Sequence, residues 1–258
     1  VFASNEREGE RYVAVGDTTL NVAPGEVVSV VGPTGCGKST LLNVAAGLLA
    51  PSSGSVHVFG EPLTGVNSRA GYMFQAEALM PWRSAISNVA AGLEFRGVSQ
   101  PDAEKAAGEW LKRVGLGGFE NRYPHQMSGG MRKRTALAQT LILDPDIILM
   151  DEPFSALDIQ TRQLMENEVL ALWQAKRKAV LFITHDLDEA IAMSDRVVVL
   201  SAGPATRPIG EFVIDLERPR DVAEIRVHPR FIELHEQIWS VLRDEVLKGY
   251  ARQMEVTA

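Results

Sequence analysis

Gly32-Pro33-Thr34-Gly35-Cys36-Gly37-Lys38-Ser39-Thr40 satisfies the pattern G-x-x-x-x-G-K-[ST]. Just before it, Val27-Val28-Ser29-Val30-Val31 is a short, β-branched apolar run that reads as a buried strand. Just after it, Leu41, Leu42, Val44, Ala45 and Leu48 recur at the spacing of a helix over 39–50 that packs on a sheet. A glycine-rich loop between a buried strand and a helix is the setting in which backbone N–H groups turn inward on phosphate oxygens. Gly32, Gly35 and Gly37 supply backbone angles that side chains would forbid. In such a loop Lys38 reaches the β and γ phosphates, Ser39 places its hydroxyl on Mg²⁺, and Thr40 adds a contact to the α-phosphate.

A second segment completes that chemistry. Ile147-Ile148-Leu149-Met150 reads as a buried strand that ends in two adjacent carboxylates, Asp151 and Glu152. Buried strands rarely end so without a reason, because unpaired charge is costly to desolvate. In a P-loop enzyme the first acid, Asp151, holds Mg²⁺, and the second, Glu152, is placed to polarise the attacking water.

Kinases, GTPases, helicases and transport ATPases share those two segments. Gln126-Met127-Ser128-Gly129-Gly130-Met131-Arg132-Lys133-Arg134 separates them. Its glycine pair precedes a helical stretch from 131 to 143, a second backbone anion site at a helix N-terminus. Two phosphate-binding helix starts in one chain suggest two chains sharing each nucleotide. Here the chain resembles the ATP-binding subunit of an ATP-binding-cassette (ABC) transporter. Ser128-Gly129-Gly130 matches the core of that family's LSGGQ signature, with Met127 in place of Leu and Met131 in place of Gln.

The resemblance covers nearly the whole chain and implies further roles. Gln75, in Tyr72-Met73-Phe74-Gln75, matches the Q-loop residue that senses Mg²⁺ and the attacking water. Asp158, in Ser155-Ala156-Leu157-Asp158, matches the D-loop that crosses to the partner subunit, and His185 matches the switch histidine near the γ-phosphate. The family also stacks an aromatic residue on adenine. Phe2 and Tyr12 both qualify, and Phe2 is favoured because residues 4–11 then read as a polar loop. The family's strand before that aromatic is missing, so the chain is expected to be trimmed at its N-terminus, in keeping with the absence of an initiator Met. The resemblance implies ATP and Mg²⁺ as cofactors and a homodimer that closes on two nucleotides. It further implies an integral membrane permease as partner and, indirectly, a periplasmic or extracellular solute-binding protein. The expected location is the cytoplasmic face of the inner (plasma) membrane.

Composition agrees. A net charge of −7 leaves no basic footprint, which argues against nucleic acid as a partner. A single cysteine excludes an internal disulfide and suits a reducing compartment. That residue is Cys36, inside the phosphate loop, so alkylation is expected to block nucleotide binding and bound ATP to protect. No apolar run approaches the roughly 20 residues needed to span a bilayer, so separate chains are expected to supply the spans.

The expected fold is α/β: a P-loop NTPase core with a helical subdomain and a short C-terminal helical extension. The core takes residues 1–76 and 145–205 and the helical subdomain 77–144, which together form a nucleotide-binding domain over 1–205. The extension takes 206–258. Strands are expected at 56–58, 72–74, 147–150, 180–184 and 197–200. In the extension, Phe231, Leu234, Ile238, Leu242 and Val246 predict an amphipathic helix from 229 to about 248. The cluster Arg132, Lys133 and Arg134 reads as a solvated helix face.

Met80-Pro81-Trp82-Arg83 follows the Q-loop, where the family receives a short helix of the membrane subunit, so Trp82 and Met80 are expected to couple the two. This segment, with Pro51-Ser52-Ser53-Gly54, Asn88-Val89 and the run from Asp151 to Asp158, resembles the nitrate/sulfonate/taurine importer group. So do Leu200-Ser201-Ala202-Gly203-Pro204 and His228-Pro229-Arg230-Phe231. An exporter subunit and a soluble ABC ATPase of DNA repair or ribosomes are the alternatives.

Overall fold

A computed structural model describes residues 2–3, 11–76 and 78–257. The chain divides into two compact units, Val1–Ser68 with Ala179–Ala258, and Arg69–Lys178.

Among the described residues the main sheet of the first unit has four strands, flanked by two small strand pairs. β1 (Phe2–Ala3) and β2 (Arg11–Tyr12) form a small antiparallel pair of their own. β3 (Val27–Val31) leads into α1 (Lys38–Ala45), and β4 (His57–Val58) pairs with β5 (Glu61–Pro62). Later in the chain this unit receives β8 (Ala179–Ile183), α6 (Leu187–Met193), β9 (Arg196–Leu200), β10 (Pro208–Val213), α7 (Val222–Ile225) and α8 (Pro229–Thr257). The strand order is β10-β9-β3-β8. β3 runs parallel to both β8 and β9, and all five residues of β3 and of β8 are buried. That is why both read as unbroken apolar runs: a parallel strand covered on both faces has no polar side to show.

β10 is antiparallel to β9 at the edge, and its residues alternate between half-buried and exposed. The residues after 205, expected as a short helical extension, begin as a strand of this sheet. The terminal helix is also longer than its apolar period predicts. It runs to Thr257 and buries Phe231, Leu234, Ile238 and Leu242 against α6, β9 and β10. The next position on that stripe is Glu245, whose buried carboxylate accepts a hydrogen bond from the Ala202 amide at 2.7 Å. One turn on, Gly249 lies against Pro33 of the phosphate loop, where a Cβ would meet the proline Cβ at 3.3 Å.

In the second unit β6 (Ala70–Met73) pairs in parallel with β7 (Ile147–Asp151). Its helices are α2 (Ala85–Phe95), α3 (Gln100–Arg113), α4 (Gly129–Leu141) and α5 (Ile159–Lys176), with a 3-10 turn at Pro124–Gln126. α2, α3 and α4 pack on one another. Ala90, Ala91, Ala103 and Ala107 are buried, and their small side chains let the helix axes approach closely. Ser84 and Ser99 cap α2 and α3 by accepting from the amides of Ser87 and Asp102. Strand ends differ from the expected ones by a residue or two, the usual reach of fraying. Among the described residues no helix is long and apolar enough to cross a membrane.

Candidate functional site

In the first unit, β3 delivers the chain into residues 32–37. Gly35 and Gly37 have φ of +76° and +99°, the left-handed region that glycine enters without steric cost. Gly37 is the N-cap of α1, so Lys38, Ser39 and Thr40 form its first turn. Lys38 is buried, and its Nζ donates to the carbonyls of Gly32 at 2.8 Å and Pro33 at 2.9 Å. Gly32 is closely packed: a Cβ there would stand 3.1 Å from Cys36 Sγ and 3.1 Å from Leu200 Cβ, so its neighbours would have to give way. Thr34 and Gly35 are exposed at the tip of the loop.

Cys36 is buried, with 1% of its surface exposed. Burial pushes its thiol up from the ordinary value, opposed by the charge of Lys38. The buried sulfur therefore favours the protonated form, which is the less reactive one.

His185 lies one residue beyond the end of β8, after Thr184, and is exposed. β3 and β8 are parallel neighbours in register Val30↔Ile183, so the phosphate loop and His185 leave the same end of the sheet. Ligands of open α/β sheets bind outside the carboxyl ends of the strands. Thr184 and Glu189 brace this corner, and nothing in the sequence pattern singled them out. Thr184 Oγ1 donates to the buried Glu189 carboxylate at 2.7 Å and accepts from the Asp186 amide at 3.0 Å. Asp186 in turn caps α6 through the Glu189 amide. The backbone of Phe2 pairs with that of Tyr12, but the Phe2 side chain, expected on adenine, lies outside the described residues, as do residues 4–10. Tyr12 is exposed, with its hydroxyl 3.4 Å from where a Cβ on Gly203 would sit.

In the second unit, Asp151 ends β7 with 5% of its surface exposed. Its negative charge, second to burial itself, pushes the Tyr72 phenol up to about 12. Glu152 turns out of the strand with φ +47°, a strained conformation for a residue with a Cβ. The turn brings its Oε2 to 3.1 Å from Gln75 Nε2. The hard carboxylate oxygen of Asp151 is a donor of the kind Mg²⁺ prefers.

The same unit holds the signature. α4 starts earlier than expected, at Gly129, and Ser128 is its N-cap. Ser128 Oγ accepts from the Met131 amide at 3.2 Å, which leaves its O–H proton to donate elsewhere. A Cβ on Gly130 would stand 3.3 Å from Leu157 Cδ2, so the helix start abuts the D-loop. Asp158 caps α5 through the Thr161 amide at 3.0 Å, and that hydrogen bond holds its carboxyl below the usual range.

The solvated basic face is corrected. Lys133 is buried, and its Nζ donates to the carbonyls of Gln75 at 2.8 Å and Phe74 at 3.4 Å. Arg134 donates to the carbonyls of Val114 and Gly115, and Arg132 to that of Met127. Each cation donates to loop or helix-end carbonyls, and Lys133 does so buried from water.

Trp82 is 73% exposed while the loop carrying it is held firmly. Asn88, fully buried, accepts from the Met80 amide at 2.7 Å and donates to the carbonyls of Met80, Arg83 and Ser84.

Phosphate loop, strand-end carboxylates and capped glycine helix define an ATP-binding cassette. The ABC transporter family model matches residues 15–155. The chain is 48% identical over 245 residues to an uncharacterized ABC transporter ATP-binding protein of Methanocaldococcus jannaschii, covering 95% of this chain and 90% of that one. It is 40% identical over 247 residues to the taurine import ATP-binding protein TauB of Roseobacter denitrificans, covering 93% and 92%. The TauB of Yersinia pestis is 44% identical over 191 residues, covering 74% and 75%. A dimeric structure of the ATP-binding cassette MJ0796 in a post-hydrolysis state, bound to ADP and Pi, superimposes with a TM-score of 0.75 at 32% identity, covering 82% of this chain and 95% of that one. The chain belongs to the ABC transporter ATP-binding family and is an ATPase.

Proposed function

We propose that this ATPase energises import of a small anion, of the sulfonate, taurine or nitrate kind, through a separate membrane permease. The observation that carries the reading is the likeness to two taurine-import ATP-binding proteins over most of the chain. The exposed Trp82 on a loop locked by Asn88 supports it, because a rigid, unshielded indole suits a protein contact. The permease brings the chain to the cytoplasmic face of the inner membrane and works with a solute-binding protein outside.

In this reading two copies close head to tail on two ATP molecules. Lys38, Ser39, Thr40 and the amides of residues 32–37 hold each triphosphate, and Phe2 or Tyr12 stacks on its base. Ser128, Gly129 and Gly130 of the partner subunit cover the γ-phosphate. Mg²⁺, held by Ser39, Asp151 and Gln75, neutralises charge on the phosphate oxygens. Glu152 accepts hydrogen bonding from the attacking water, oriented by Gln75, and His185 lies near the γ-phosphate. Asp158 carries the state of one site to the other.

The test is growth of a deletion strain on single sulfur and nitrogen sources. Growth lost on taurine or alkanesulfonates alone, and restored by this chain but not by its Lys38→Ala form, is the expected result. Loss confined to nitrate or an aromatic acid moves the solute within the group. Normal growth on every such anion, or co-purification with ribosomes or DNA instead of a polytopic membrane protein, overturns the importer reading.

A further inference from the structure

Among the described residues Lys133 is the largest charged side chain that is fully buried. Removing an ammonium from water costs several kcal/mol unless hydrogen bonds replace the lost hydration, so its partners matter to where the chain settles. Its Nζ sits 2.8 Å from the Gln75 carbonyl and 3.4 Å from that of Phe74. Those two residues form the exit of β6, and Gln75 itself is exposed, with a side chain that reaches Glu152 Oε2 at 3.1 Å. A continuous path thus runs from α4, which begins at the Ser128 cap, through Lys133 Nζ to the Gln75 backbone, and through the Gln75 amide to Glu152.

We infer that Lys133 is a positioning residue for ATP hydrolysis: it ties the Gln75 backbone to the signature helix, so that Gln75 and hence Glu152 take their working places only with α4 in its own. The inference rests on the proposed roles of Gln75 and Glu152. An exposed loop residue with no tether would sample many positions, and Gln75 would find Glu152 only part of the time. The ammonium is suited to the task. It donates three ways from a stem long enough to cross the helix–strand gap, and a charged donor roughly doubles the strength of a hydrogen bond to carbonyl. A shift of α4 would carry the anchored Gln75 carbonyl with it, which makes the reach from Gln75 to Glu152 sensitive to the state of the signature.

The experiment is a double-mutant cycle in the purified full-length chain, with Lys133→Met, Gln75→Ala and the pair, read by steady-state ATPase kinetics and by melting. Lys133→Met keeps the stem and removes the donor. The expected result is a fall in kcat of about tenfold, the size of one lost charge-assisted hydrogen bond, with KM for ATP held within about twofold. In the Gln75→Ala background the same change is expected to cost almost nothing further, because its route is already cut. An equal loss in both backgrounds, or a loss in KM alone, would make Lys133 a structural residue and overturn the inference while leaving the ATPase site intact. Wild-type kinetics in Gln75→Ala would remove the Gln75 role and the inference with it. If Lys133→Met does not fold, Lys133→Gln, which keeps a shorter neutral donor, carries the same cycle; additivity there overturns the inference equally.

Discussion

Gln75 Nε2 donates to Glu152 Oε2 across 3.1 Å, joining the exit of β6 to the exit of β7. Those strands are parallel neighbours in register Met73↔Met150, so the two side chains leave the same end of the pair. Glu152 reaches Gln75 only because its backbone takes φ +47°, a cost accepted at one residue to aim one carboxylate. Glu152→Gln is expected to bind ATP, form a stable dimer on size-exclusion chromatography and lose about 10²-fold or more of its turnover, the usual contribution of a general base. Turnover at the parent rate would take Glu152 out of that role.

Much of this was legible before the structure, for a particular reason. A phosphate loop is a backbone device, and glycine spacing reports backbone directly, so residues 32–40 could be read outright. Buried parallel strands announce themselves as apolar runs, and β3, β7, β8 and β9 all did. β10 did not, because Pro208 and Gly210 weigh against a strand, although an edge strand tolerates both. The basic cluster was misread for a reason its own spacing contained. Three consecutive helical residues point about 100° apart, so Arg132, Lys133 and Arg134 could not all face water on a packed helix. Thr184 and Glu189 left no signal at all, since a buried carboxylate paired with a hydroxyl looks like any exposed helix acid in sequence.

Cys36 offers a chemical probe of the phosphate loop. Burial pushes its thiol up from the ordinary 9.0, so at neutral pH the reactive thiolate is scarcer than in a free cysteine. Iodoacetamide labelling of the native chain is expected to be about tenfold slower or more than that of the urea-unfolded chain, since the thiolate is the nucleophile. Because the shift is upward, the native rate should keep climbing with pH through 9.0, where an ordinary thiol begins to level off. Labelling that levels off at or below that pH would show a thiol whose value is not raised, and would overturn the expectation.

Trp82 and Asn88 separate coupling from stability. Trp82→Ala removes a side chain that is 73% exposed, so its melting temperature should match the parent, a surface change being worth within about 0.5 kcal/mol. Under the proposed function it retains most basal ATPase and loses transport. Asn88→Ala removes the buried amide that holds the 80–84 loop and is expected to cost about 1–3 kcal/mol by urea unfolding. Normal transport by Trp82→Ala would sink the coupling role.

Arg220 is the clamp at the back of the first unit. Its guanidinium, 7% exposed, donates to the carbonyls of Ile191, Ala192, Ser194, Ile214 and Leu216, drawing the end of α6 and the chain after β10 onto one group. A planar fork of five donors can satisfy that ring, and an ammonium cannot. Arg220→Met is expected to destabilise the fold by about 3 kcal/mol or more, because several carbonyls lose their partner at once, and Arg220→Lys should recover only part. Burial, and to a lesser degree the charge of Arg218, lower its guanidinium from the ordinary value to about 10. For a base, a lowered folded value means the unfolded chain holds the proton more tightly. Stability linked to Arg220 therefore rises with pH only above about 10 and is flat below it. The penalty of Arg220→Met should accordingly stay constant across neutral pH in urea melts. A penalty that changes there would mean that a different titrating group carries the effect.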